Sequence, residues 1–144
     1  LSNMQPQVHG FNAGVWETME SKMRTYITAA NGSKDTLFIC RGGTIDKAGQ
    51  FMTMRSNVIV PKYFFSAALM KYKVYGKDKW EYKAIGFWFE HKNNNDRSLV
   101  PYVVNISELE QLTGIDFFCN LPDDIERKVE SVSKEKIIDL WNIQ

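Results

Sequence analysis

The sequence predicts an α+β fold in which one long helix packs on an antiparallel β-sheet and short helices follow toward the C-terminus. Three observations support this prediction. A stretch near the start repeats apolar residues at helical spacing, several central stretches are short apolar runs typical of strands, and the last stretches are polar with weak apolar faces. With 144 residues, 44% of them hydrophobic, we expect one domain with a buried core over residues 1–144.

The long helix is expected over residues 13–30, after an irregular polar segment at 1–12. Apolar residues recur there at four-residue steps, namely Val15, Met19, Met23 and Ile27. Such a step keeps them on one face of a helix, and Trp16 widens that face, so we expect Trp16 to pack in the core. Asn12 stands at the N-cap position, and Asn31-Gly32 is a typical stop signal.

Strands are expected where apolar runs are rich in β-branched and aromatic residues. The predicted strands are 36–40, which Gly42-Gly43 would close with a turn, 58–60, 63–74, 83–90 and 102–104. Residues 44–57 and 91–97 are predicted to be loops. Ser107 and Glu110 have the spacing of a capping box for a short helix that ends at Gly114, and two polar helices are expected over 122–131 and 133–142.

Charge and composition exclude several classes of protein. The formal net charge is +1, which rules out a strongly basic nucleic-acid binder but leaves room for a local basic groove. No apolar run is long enough for a membrane helix, and the first residues do not show the basic-then-apolar pattern of a signal peptide. Cys40 and Cys119 could form one disulfide or remain two buried thiols. Because residue 1 is Leu, we expect the chain to begin inside a longer gene product.

Common catalytic patterns are missing. The sequence has no P-loop, no G-x-S-x-G, no H-E-x-x-H and no C-x-x-C. His9 and His91 lie far apart without acidic neighbours, and each is expected to be an ordinary solvated loop residue.

A polar segment around the start of the long helix is the strongest candidate for a site. Glu20 and Arg24 are neighbours at i,i+4, which on a surface is an ion pair worth ~0.3–0.5 kcal/mol. Asn12 and Glu20 could border one groove, where an amide and a carboxylate suit a hydrated hard cation such as Mg²⁺. The alternative is that the Asn12 side chain caps the helix by accepting from the amides of Gly14 or Val15.

The order of these residues resembles a known family. The string SNMQPQ, followed by FN-x-G-x-W-x-x-M-E-x-x-x-R, is similar to the central motif of the DNA/RNA non-specific endonucleases, which are ββα-metal (His-Me finger) nucleases and include endonuclease G. The resemblance continues through LFICRGG, VPKYFF, AIGFWFE and VNISELEQLTGIDFF-x-x-LPDD, and so covers the chain from Ser2 to Glu130.

This resemblance implies a role for each matching residue. Asn12 would be the direct protein ligand of a Mg²⁺ ion, which Mn²⁺ could replace, and Glu20 would orient the water around the ion. Arg24 would hold the scissile phosphate, Asn3 would support the site by hydrogen bonding, and Gln7 would lie just behind it. DNA and RNA would be the substrates, cut without sequence preference to 5′-phosphorylated products. Lys22, Arg24 and Arg41 could add electrostatic attraction.

The sequence departs from the family pattern at one point, because the D-R-G-H motif that carries the general-base histidine is absent. His9 does not match that histidine. We therefore expect the base on an upstream N-terminal fragment of the same protein, and this chain to be inactive by itself, as the C-terminal portion of an incomplete ββα-metal fold. The alternative is a non-catalytic relative that binds nucleic acid or protein. We further expect bacterial export, secreted or periplasmic, and possible homodimers.

Overall fold

The computed structural model describes residues 11–29, 36–44, 51–53, 59–73 and 79–144. A π-helical turn at Asn12–Trp16 leads into helix α1, and a 3-10 turn at Val100–Tyr102 precedes the last strand. The remaining elements, in chain order, are α1 (Glu17–Ala29), β1 (Thr36–Gly43), β2 (Phe51–Thr53), β3 (Ile59–Pro61), β4 (Tyr63–Lys73), β5 (Trp80–Glu90), β6 (Val103–Val104), α2 (Ile106–Thr113), α3 (Asp123–Glu130) and α4 (Lys134–Trp141).

Four antiparallel strands form the main sheet in the order β1-β4-β5-β6, and β2 pairs with β3 beside it. The two central strands have 11 residues each and pair along their whole length, from Tyr63 opposite Glu90 to Lys73 opposite Trp80. This confirms the α+β prediction, including the long helix, the antiparallel sheet and the short C-terminal helices.

The sheet is buried on both faces, and each face has its own core. Alternate residues of β4 and β5 point to opposite sides of the pleat. One side packs against α1 and α4, and its sheet residues are Phe64, Ala68, Met70, Ile85, Phe87 and Phe89. The other side packs against α2 and α3, and its sheet residues are Phe65, Ala67, Leu69 and Ala84. Two-sided burial explains why both strands are near-continuous apolar runs.

Several predicted elements need correction. The predicted strand at 36–40 runs on to Gly43, and Gly42-Gly43 does not turn but pairs with Phe65 and Phe64 of β4. The predicted loop at 44–57 contains the short strand β2. The strand expected at 102–104 is reduced to β6 by the 3-10 turn. Asn31-Gly32, the predicted helix stop, lies outside the described residues.

The capping-box prediction for α2 was wrong. Asn105 is the N-cap, and its side-chain oxygen accepts from the Glu108 amide at 2.8 Å. Asn105 already has the extended backbone that an N-cap needs, so the helix begins before Ser107. The Glu110 carboxylate instead accepts from the Phe117 amide at 2.9 Å. Gly114 ends α2 in the left-handed conformation, with φ 75°, as predicted.

Two predictions about single residue types also change. Cys40 and Cys119 are both free and exposed, which excludes the disulfide and also the pair of buried thiols. His91 is not solvated but only 4% exposed, and its ring packs against Phe11 and Phe64. No helix in the described ranges is long and apolar enough to cross a lipid bilayer.

Candidate active site

The start of the long helix is irregular, and this irregularity shapes the site. The chain enters through the π-helical turn at Asn12–Trp16, in which Gly14 has the non-helical angles φ −108° and ψ −117°. The first helical amides of any helix lack partners within the helix. Here the Val15 amide donates to the main-chain carbonyl of Asn94 at 2.7 Å. A loop that is distant in sequence therefore caps the helix start.

Gly14 makes this approach possible because it has no side chain. A Cβ atom at this position would lie 1.9 Å from the Asn94 oxygen, which is main chain and cannot swing away. Any larger residue would push the loop from the helix and break the bond to Val15.

Two hydrogen bonds hold the side chain of Asn94 in place. Its amide nitrogen donates to the Tyr102 hydroxyl at 2.7 Å, and its amide oxygen accepts from the Asp96 main-chain nitrogen at 2.9 Å. The Tyr102 hydroxyl in turn donates to the Asp96 carboxylate. Burial, together with this bond to a carboxylate, raises the pKa of Tyr102. The hydroxyl therefore stays protonated, and the loop presents a fixed carbonyl to the helix.

This arrangement corrects the prediction that Asn12 is the N-cap. Phe11 occupies the N-cap position, its backbone is already helical, and no side chain accepts a capping hydrogen bond there. Asn12 lies inside the π-helical turn and is half-buried. The capping role that competed with the metal role for the Asn12 amide is therefore filled by the Asn94 carbonyl.

An aromatic cluster lies under the helix start and fixes its position on the sheet. Phe11 and Trp16 are fully buried, with ring centroids 5.6 Å apart, and both pack against Phe64 and Phe89. Trp16 is 1% exposed, which confirms that it is a core residue. Aromatic packing on this scale gives the polar residues of the π-helical turn and of α1 a rigid base.

The Glu20 carboxylate lies between the guanidinium groups of two arginines, on the face of the sheet that α1 covers. One carboxylate oxygen is 3.8 Å from a guanidinium nitrogen of Arg24, one helical turn away, which confirms the predicted i,i+4 pair. The other oxygen is 3.7 Å from a guanidinium nitrogen of Arg41. The Glu20 side chain is 15% exposed and that of Arg24 is 68% exposed. The cluster therefore combines one shielded carboxylate with two cations, one of them largely exposed.

Arg41 reaches this cluster from strand β1 by ordinary strand alternation. Leu37 and Ile39 pack into the core beneath α1, and Arg41, two residues further on, falls on the same face. The sequence ranked Arg41 only as one of several nearby cations. The strand period, extended from Leu37, is the signal that would have placed it against the helix.

A comparison with known proteins identifies a family. The family described as DNA/RNA non-specific endonuclease matches residues 1–124. This chain belongs to the DNA/RNA non-specific endonuclease family. A comparison with curated proteins finds no significant match. The match covers the helix start, Glu20, Arg24 and Arg41, and it ends at Asp124, the second residue of α3.

Of the five site residues predicted from the sequence, three lie in the described part of the chain. Asn12, Glu20 and Arg24 all lie on the π-helical turn and α1, and Glu20 and Arg24 are in contact. Asn3 and Gln7, the other two predicted site residues, lie outside the described residues, as does His9.

A cleft of about 380 Å³ lies between the start of the long helix and the loop that caps it. Its walls are polar and include Glu17, Ser21, Asn95 and Arg97. The cleft connects the helix start with the loop that caps it, so the same loop both supports the helix and shapes the surface beside it.

Proposed function

We propose that this chain forms the metal-binding portion of a Mg²⁺-dependent endonuclease. The complete enzyme would hydrolyse phosphodiester bonds of DNA and RNA, without sequence preference, to 5′-phosphorylated products. The observation that carries the proposal is the bond from the Val15 amide to the Asn94 carbonyl, because it relieves the Asn12 side chain of a capping role.

The residues at the helix start fit a hard divalent cation. Asn12 offers an amide oxygen from a half-buried position in the π-helical turn. Glu20, further along on α1, offers a carboxylate that is largely shielded from solvent. Mg²⁺ prefers oxygen donors and keeps several waters, so few protein ligands suffice. When bound, the ion supplies Lewis-acid chemistry at the phosphate. Asn12 would hold it, with Mn²⁺ as a possible substitute.

The two arginines fit the charge of the substrate. Glu20 lies within 4 Å of both guanidinium groups and so limits where they can move. A phosphodiester carries one negative charge, and Arg24, which is exposed, can donate charge-assisted hydrogen bonds to its oxygens. Contacts of this kind go to the backbone and not to base edges, which explains cutting without sequence preference.

The general base would come from an upstream segment that carries the family's histidine. His91 is a poor candidate for the base. Its Nδ1 lies 2.7 Å from the Pro61 carbonyl oxygen, its ring is buried, and burial lowers its pKa. A base must reach the water that it deprotonates, and a ring enclosed by Phe11 and Phe64 does not.

Reconstitution tests the proposal. This chain alone should not cut, and the chain expressed together with its upstream segment should cut both DNA and RNA when Mg²⁺ is added. Cutting should stop with EDTA and return with Mn²⁺. A reconstituted protein that binds DNA but never cuts with either ion would favour the alternative, a non-catalytic binding relative.

Replacement of Asn12 by Ala tests the metal role in the reconstituted enzyme. Loss of groups behind metal ligands costs ~10–100-fold in activity, so loss of a direct ligand should cost at least about 100-fold. The melting temperature should stay the same, because Asn94 and not Asn12 caps the helix. Asn93→Ala, an exposed residue of the capping loop, is the matched control and should keep full activity. A large fall in stability with Asn12→Ala would contradict the proposal.

A further inference from the structure

Four carboxylates gather on the face of the sheet opposite to α1. They come from three segments: Glu110 from α2, Asp116 from the connection that follows it, and Glu126 and Glu130 from α3. One oxygen from each of the four lies within 4.8 Å of the other three. We call this group the acidic cluster. It rests on the second core, in which Leu109 and Val129 pack against the sheet.

The acidic cluster has no cationic partner among the residues that the structure describes. In the described part of the chain, the ion pairs of Lys and Arg go to Glu20, Glu81 and Glu90, and none goes to a member of the cluster. Carboxylates this close repel one another unless protons or a cation neutralise them. The cluster therefore holds more negative charge than its own surroundings compensate.

Glu130 is the buried member of the acidic cluster. The residue is only 8% exposed, and its Oε1 atom is buried without a hydrogen-bond partner in the described structure. An ionised carboxylate in such a place costs several kcal/mol unless something pairs with it. Burial, reinforced by Glu110 and Glu126, raises the pKa of Glu130 to about 7. A carboxylate that belongs to a group of four, and that has a buried oxygen without a partner among the described residues, is the expected arrangement of a cation ligand.

We propose that the acidic cluster is a Ca²⁺-binding site, separate from the nuclease site. Ca²⁺ takes oxygen ligands at about 2.3–2.6 Å, so two ligands on opposite sides of the ion are about 4.6–5.2 Å apart. The four oxygens of the cluster all lie within 4.8 Å of one another, so one Ca²⁺ ion between them could reach all four. Mg²⁺ holds its ligands at about 2.0–2.1 Å and would need the cluster to contract.

The bound ion would join three segments that otherwise meet only through side-chain packing. Glu110 lies in the last turn of α2 and also accepts from the Phe117 amide, which ties that helix to the following connection. Glu126 and Glu130 are one turn apart on α3. Ca²⁺ would therefore clamp α2, the connection at 114–122 and α3 together against the sheet.

Thermal unfolding and calorimetric titration of the chain with CaCl₂ and MgCl₂ test this site. After EDTA treatment, millimolar CaCl₂ should raise the melting temperature by at least about 3 °C, and MgCl₂ should raise it less. Glu130→Gln should weaken Ca²⁺ binding at least tenfold, as estimated for a charged ligand worth about 1.4 kcal/mol or more. Asp116→Asn, at an exposed position, should act in the same direction.

The controls separate this site from simpler explanations. Glu108→Gln changes an exposed glutamate of the same helix α2 and should leave the Ca²⁺ response intact. Asn12→Ala should also leave it intact, because Asn12 lies across the sheet. Without Ca²⁺, Glu130→Gln should fold and melt no lower than the parent, since it removes a buried charge. A Ca²⁺ response that is absent from the parent, or equal in Glu130→Gln and Glu108→Gln, would overturn the proposal.

Discussion

The two faces of the sheet carry glutamates in opposite electrostatic settings. On the α1 face, Glu20 lies within 4 Å of Arg24 and Arg41. On the α2–α3 face, Glu130 meets three other carboxylates and no cationic side chain of the described residues. The first carboxylate is neutralised by the protein itself, and the second requires a proton or an ion from solution.

This difference separates two tasks that acidic residues perform. A carboxylate between arginines positions the guanidinium groups, so it suits a site that must meet a phosphate. A carboxylate among other carboxylates is repelled by them until a cation binds, so it suits a site whose stability depends on cations in solution. We therefore expect Glu20 to affect catalysis on one face of the sheet and Glu130 to affect cation-dependent stability on the other.

The largest expected effect comes from Glu20→Gln, measured as nuclease activity of the reconstituted enzyme. Removing the charge should lower activity about 100-fold or more, by analogy with groups that position a metal site or a phosphate contact. The free energy of unfolding should change by less than about 1 kcal/mol, because partly exposed ion pairs contribute little.

Glu130→Gln is the matched substitution on the other face and should show the reverse pattern. Activity with saturating Mg²⁺ should remain, while stability in EDTA should hold or rise. If both variants lose activity to the same extent, the two faces are not functionally distinct and the comparison fails.

Arg41→Ala should have an intermediate effect, measured as the affinity for single- or double-stranded DNA. Loss of one charge-assisted contact, worth about 1.5–3 kcal/mol, should weaken binding by about tenfold or more. The dependence of log affinity on log salt should fall by about one unit. Arg127→Ala, an exposed arginine of α3 on the opposite face, should leave both values unchanged. Equal losses in the two variants would indicate general charge attraction only.

The smallest effect is a pH dependence of stability that originates in Glu130. Its pKa is about 7 in the folded chain against an ordinary value of 4.5. Between these pH values, the Glu130 carboxyl binds fewer protons in the unfolded chain than in the folded chain. Its contribution to the free energy of unfolding is therefore greatest below pH 4.5 and falls as the pH rises through 7. Glu110, Asp116 and Glu126, which face Glu130 from α2, the connection and α3, strengthen the effect.

Melting temperatures recorded in EDTA across that range should therefore decline toward neutral pH by a few degrees, about 2–6 °C. Glu130→Gln should flatten this slope, and Glu108→Gln should keep it. A slope that survives Glu130→Gln would assign the titration to another group.

The long elements could be predicted from the sequence because each has a long apolar pattern. Helix α1 repeats apolar residues at helical spacing, and the central strands β4 and β5 are near-continuous apolar runs that the two-sided burial of the sheet explains. Strand β2 was missed because three residues are too few to show a period. At α2, two neighbouring residues could cap, and the sequence pattern favoured Ser107 although the backbone is extended at Asn105.

The candidate site was predictable only where its contacts are local. Glu20 and Arg24 are one helical turn apart, so their contact follows from helix geometry. The cap on α1 comes from Asn94 and the second arginine from β1, and both depend on tertiary packing. The burial of His91 was missed for the same reason, since Phe11 and Phe64 come from elsewhere in the chain.

The bond between Val15 and Asn94 links the helix start to a loop that follows β5. Because closing so long a loop costs entropy, we expect this contact to form after the intervening strands have paired. The turn that carries Asn12 therefore reaches its final shape only once the sheet is assembled. If Asn12 holds the ion as proposed, a partly folded chain would present no finished binding position, and activity would arise only at the end of folding.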